Sequence, residues 1–196
     1  MRRSFKLLSL AAAATAGFST AALAHVGDHS HMSFTEGLLH PFSGIDHVLA
    51  MVAVGLWASQ LGGRALWLLP LTFPAVMAAG AALGLSGVTL PWVEIGIAGS
   101  VMVLGAVVAL ALRPSLAISI PLIGVFALLH GYSHGVELPA AASVLGYGAG
   151  FIAATLVLHA VGIATGLIGG RLPVRFAART TGGAIAVLGV MLLVTL

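Results

Sequence analysis

Two octapeptides concentrate the side chains able to do chemistry. His40-Pro41-Phe42-Ser43-Gly44-Ile45-Asp46-His47 and His130-Gly131-Tyr132-Ser133-His134-Gly135-Val136-Glu137 together hold four of the eight histidines and two of the five acids in 196 residues. Imidazole and carboxylate without thiolate form a donor set for a borderline divalent ion such as nickel, cobalt, zinc or copper. Cysteine is absent, which removes disulfides, iron–sulfur clusters and thiolate sites. On a helix His130, His134 and Glu137 stand at i, i+4 and i+7 and form one stripe. Adjacent pairs can share an ion, but about 10 Å of helix rise separates the two ends. His40 and His47 are also seven apart. Pro41 and Gly44 can begin or unwind a helix between them and let the two imidazoles converge. Asp46 can coordinate directly, or accept the N–H of a ligating imidazole and fix its tautomer. Gly131 and Gly135 are expected to leave the backbone open and bendable.

The elements that position these groups are membrane helices. Hydrophobic residues make up 60% of the chain and charged residues 7%, where a soluble domain carries about 25% charged residues. Mean hydropathy is +1.14. The fold class is therefore an all-α polytopic membrane bundle. Ionisable side chains within such spans are costly and point to function. The abundant glycines suit close helix–helix approach.

Arg2, Arg3 and Lys6 precede an apolar run from Leu7 to Phe18 and an Ala22-Leu23-Ala24 cleavage pattern, the features of a secretory signal peptide. Residues 1–24 are so assigned, followed by a histidine-rich periplasmic tail over 25–37 and a transmembrane domain over 38–196. Removing the signal leaves five arginines against five acids, so no basic footprint for nucleic acid remains, and no nucleotide-binding segment is present. About 20 apolar residues cross a bilayer. Six spans are expected, at 38–60, 65–86, 92–112, 115–135, 141–169 and 177–196. Arg64, Arg113, Arg171, Arg175 and Arg179 all fall in alternate loops, which places those loops in the cytoplasm and the mature N-terminus outside. A cleaved signal requires the same orientation. Both octapeptides then lie at the outer face of the membrane.

Secondary candidates are weaker. Glu94 opens the third span at that face, and His159 lies deeper in the fifth. His25, His29 and His31 form a tract able to capture metal loosely. Tyr132, Trp57, Trp67 and Trp92 are expected in the interfacial aromatic belts.

His40-Pro41-x-x-Gly44-x-Asp46-His47 resembles the HPxxGxDH motif of the HupE/UreJ family of bacterial membrane proteins. Leu129-His130-Gly131-x-x-His134-Gly135-x-Glu137 resembles its second motif, with Leu129 where that family usually has Phe. The resemblance covers essentially the whole chain. It implies a secondary permease, not an enzyme, with no permanently bound cofactor. The permease would bring Ni²⁺ into the cytoplasm for hydrogenase or urease, using His40, Asp46, His47, His130, His134 and Glu137. The residue chemistry alone leaves nickel, cobalt, zinc and copper open. Rival readings are a haem-binding electron carrier with paired axial histidines, a membrane metalloenzyme, and a structural subunit of a larger complex. Membrane lipid and the metal ion are the expected partners, and the oligomeric state is open.

Overall fold

The computed structural model describes residues 29–139, 142–168 and 172–196. The proposed signal peptide, His25 and Arg171 lie outside them. The described chain is all-helical. Helix α1 (His29–Leu39) runs into a 3₁₀ turn (His40–Phe42), followed by α2 (Ile45–Leu61), α3 (Ala65–Leu85), α4 (Val93–Ala109), α5 (Leu116–Glu137), α6 (Val144–Ile168) and α7 (Leu172–Val194). Four described helices, α3, α5, α6 and α7, are long and apolar enough to cross a membrane. The bent pair of α1 and α2 makes a fifth if taken as one span. Helix α4 is apolar and 17 residues long.

The polar segment before the first span is more ordered than its composition suggests. Its residues from 29 onward form α1, which packs along α6. Gly150 fits against the Phe34 carbonyl, and Gly37 against that of Tyr147. At its other end the chain departs from a loop expectation too, because Arg175 and Arg179 lie within α7.

Helix α1 and α2 meet at a bend of 79°. Pro41 occupies the start of the 3₁₀ turn, where its missing N–H costs nothing. Gly44 then caps α2 in an extended conformation, φ −102° and ψ 120°. The break anticipated at Pro41 and Gly44 is thus present, and it redirects the chain.

Helices α3 and α5 form the most extensive pair in the bundle. Their contact is made by glycines on both sides. Gly131 abuts the Met77 carbonyl and Gly135 that of Ala81, while Gly80 and Gly84 abut the carbonyls of Leu128 and Tyr132. The expectation of a bendable backbone at Gly131 and Gly135 is therefore corrected: α5 runs unbroken to Glu137, and the glycines permit close approach. Small residues do this where lipid removes any hydrophobic drive for association. A methyl group at position 131 would overlap the α3 backbone, not a movable side chain. Gly131→Ala is expected to cost about 1–3 kcal/mol of stability. A lowered thermal midpoint of the purified variant in detergent would show it, and an unchanged midpoint would contradict it.

Two aromatic assignments also change. Trp57 is fully buried, and its indole N–H donates to the Leu112 carbonyl at 3.0 Å. One turn on, Gln60 donates through Nε2 to the Val108 carbonyl at 3.0 Å. Both bonds tie α2 to the C-terminal end of α4 and the residues just after it. Tyr132 is buried as well, donating to the Val88 carbonyl at 2.7 Å and accepting from the Leu90 N–H at 3.0 Å. These rings are structural ties. Trp67 and Trp92 are exposed, as a belt position requires.

The tie from Gln60 to Val108 brings the C-terminal ends of α2 and α4 together. Arg179 donates to the Ala109 carbonyl at this same end, at 2.8 Å, and Arg64 and Arg113 follow α2 and α4 in sequence. The N-terminus of α2 and the C-terminus of α5, which carry the two motifs, lie at the opposite end.

Candidate metal-binding site

The bend places His40 and His47 beside the same residue of α5. The His134 ring lies 5.0 Å from that of His40 and 4.2 Å from that of His47, centroid to centroid. On a straight helix the two would stand about 10 Å apart along the axis. Nε2 of His47 and Nε2 of His134 face each other in direct contact. Nδ1 of His47 faces the Asp46 carboxylate at 3.5 Å, so the carboxylate is on the side of the ring away from His134. That is the arrangement of an orienting carboxylate, and it favours the indirect role for Asp46 over direct coordination.

The α5 stripe divides between two depths, as its length requires. At the mouth, donor atoms of His40, His134 and Glu137 lie within 4.8 Å of one another, a spacing that can hold an ion. Glu137 is more than half exposed, 3.8 Å from Nδ1 of His134, and it accepts a hydrogen bond from the Ser133 hydroxyl at 3.2 Å. Deeper, the His130 ring lies 4.8 Å from that of His47 and is wholly buried.

His130 shows how the fold prepares a donor. The Phe126 carbonyl one turn earlier lies 2.9 Å from Nδ1. A carbonyl can only accept, so Nδ1 carries the proton and Nε2 presents a bare lone pair. That Nε2 is buried and has no hydrogen-bond partner among the described residues. A buried polar atom left unpaired costs about 1–3 kcal/mol, which a ligand arriving at the lone pair would recover.

Aromatic side chains wall the cluster, and these were not legible as site residues in the sequence. Phe151 of α6 lies against His134 at 4.4 Å and also touches His40 and His47, while Tyr147 borders His40 at 5.7 Å. Phe73 of α3 contacts both His130 and His159 at 5.6 Å. One signal pointed there: Tyr147, Phe151, Thr155 and His159 recur every fourth residue. Beside the cluster an apolar cavity of about 400 Å³ between α3, α5 and α6 reaches His134 and Phe151.

The secondary candidates separate. His159 is 1% exposed and one aromatic ring away from His130. Glu94 lies exposed in the first turn of α4, without a hydrogen bond or ion pair to the cluster among the described residues. His29 and His31 fall on the first turn of α1, and their side chains lie outside the described set.

Fold and site together define a polytopic membrane protein with a buried, multi-imidazole donor cluster near one end of its helices. Residues 13–192 match the family described as HupE / UreJ protein, and the chain belongs to this family of membrane transport proteins, which are not enzymes. It is 47% identical over 171 residues to Protein HupE of Rhizobium leguminosarum bv. viciae, covering 87% of this chain and 89% of that protein. No solved structure matches the chain.

Proposed function

We propose that the protein is a secondary permease that imports a divalent transition metal, with nickel the first candidate, across the bacterial inner membrane for maturation of a hydrogenase or urease. The observation that carries this reading is the convergence of four histidines from two distant segments, one with its tautomer set by Phe126. His40, His47, His130 and His134 are the proposed ligands, with Asp46 orienting His47 and Glu137 supplying charge at the mouth. In this reading the signal is cleaved after Ala24, six spans follow, and the mature N-terminus is periplasmic. His25, His29 and His31 then lie outside, where they raise the local metal concentration.

Carboxylates beside the imidazoles, with donor atoms of His40, His134 and Glu137 within 4.8 Å of one another, favour an ion over haem, which needs only two facing imidazoles. Imidazole nitrogens suit nickel, cobalt, zinc and copper alike, so selectivity rests on geometry at the mouth. The membrane potential contributes about 2.3 kcal/mol per elementary charge per 100 mV, roughly doubled for a divalent ion. Facilitated entry into a negative interior is energetically sufficient.

The test is uptake of radioactive nickel by cells lacking their own nickel transporters, comparing the intact chain with His47→Ala and His130→Ala at matched membrane abundance. Uptake that requires both histidines supports the proposal. Failure of the intact chain to move nickel, cobalt, zinc or copper would overturn it.

A further inference from the structure

Below the cluster, α6 carries a second set of unpaired polar atoms. Phe151, Thr155 and His159 stand at i, i+4 and i+8, so they share one face of the helix and descend about 12 Å along it. Phe151 borders the outer histidines. The Thr155 hydroxyl is fully buried, and among the described residues neither it nor either ring nitrogen of His159 has a hydrogen-bond partner. A buried threonine normally bonds the carbonyl one turn back, so an unpaired hydroxyl next to an unpaired imidazole is a combination that folding alone would select against.

Helix α3 supplies a third donor. It contains Pro70 and Pro74, and Pro74 has no N–H to give to the carbonyl of Pro70. That carbonyl is left free of its helical bond and lies against the His159 ring, without a hydrogen bond of good geometry. An imidazole nitrogen and a helix-released carbonyl therefore meet in the dry interior, with a hydroxyl one turn away on the same face. Phe73, three residues after Pro70, touches His159 on one side and His130 on the other.

We infer that His159, Thr155 and the Pro70 carbonyl form an inner way station for the transported divalent ion, reached from His130 past the ring of Phe73. This rests on the permease reading and gives it a second step. The station has no carboxylate among these donors, so it holds the ion weakly. Weak holding suits a transit site, because conduction requires binding strong enough to enter and weak enough to leave. The Phe73 ring touches both His130 and His159 and so marks the boundary between the two steps.

The test uses full-length protein in cells lacking nickel transporters, with nickel(II) as the probe, and measures both the maximal uptake rate and the nickel affinity of the purified protein. His159→Leu is expected to lower the maximal rate about tenfold or more, while nickel affinity, set at the outer cluster, stays as in the intact chain. His159→Cys restores a donor and is expected to recover uptake, with cadmium now favoured over nickel relative to the intact chain. A purely packing role for His159 would not move that metal preference. An unchanged maximal rate in His159→Leu would overturn the inner station and leave the outer site standing. If His159→Leu also loses affinity, His159→Cys decides: a shifted metal order supports the station, and an unshifted one overturns it. Absence of uptake by the intact chain would sink the permease reading and the station with it.

Discussion

Replacing His134 by alanine is expected to abolish nickel uptake and to weaken nickel binding by the purified protein at least about 100-fold. His134 is the meeting point of the site. Its ring contacts those of His40 and His47, and its donor atoms lie within reach of Glu137. Removing it separates the mouth from the deeper pair of His47 and His130 as well as deleting a ligand. Loss of an outer-shell partner alone costs about 10–100-fold in metal affinity, and a direct ligand should cost more. The fold should survive, because the α3–α5 pairing rests on Gly80, Gly84, Gly131 and Gly135 and none of these is altered. Titration calorimetry on a variant with an unchanged thermal midpoint measures the effect. Binding within about threefold of the intact protein, about 0.7 kcal/mol, would remove His134 from the ligand set.

Asp46→Asn tests whether the first motif works through orientation. Asp46 stands in the first turn of α2, 3.5 Å from Nδ1 of His47, and leaves Nε2 of that ring facing His134. The amide keeps the size of the side chain and removes its charge. Without the carboxylate, the tautomer with Nδ1 protonated is no longer favoured, and the imidazole becomes a poorer donor. A loss of about 10–100-fold in nickel affinity is expected, smaller than for His134→Ala. An equal loss in both variants would argue that Asp46 binds the ion itself. Unchanged affinity would leave the carboxylate with a helix-capping role at most.

The class was legible from the chain, and so were the two motifs that stand out in it. Scarcity of charge demanded a membrane bundle, and four histidines with two carboxylates in sixteen positions demanded an explanation. The position of the arginines put both motifs at one end, and the described structure has them there. Convergence of His40 and His47 across Pro41 and Gly44 was anticipated, whereas their meeting at His134 of the other motif was not. Seven-residue spacing reads as a 10 Å separation on a regular helix, and only the 79° bend at Pro41 to Gly44 brings His40 and His47 to one ring. Pro and Gly announced a break without giving its direction.

The glycines of the second motif misled for a related reason. A glycine beside a histidine looks like a hinge in one dimension, whereas Gly131 and Gly135 meet the backbone of a helix some fifty residues away. Trp57 and Tyr132 were assigned to interfaces because they sit near span ends, yet each ties a loop or helix-end carbonyl to the bundle. Partners of that kind are set by tertiary contacts across more than forty residues. Phe73 and Phe151 carried no chemical signal of their own and gained a role only from the histidines they touch.

X-ray absorption at the nickel edge, on purified protein loaded with one equivalent of nickel, addresses the central claim most directly. The account predicts nitrogen ligation with the outer-shell scattering of two or more imidazole rings, reduced in His134→Ala. A shell of oxygen atoms alone, or a spectrum identical in the variant, would contradict it.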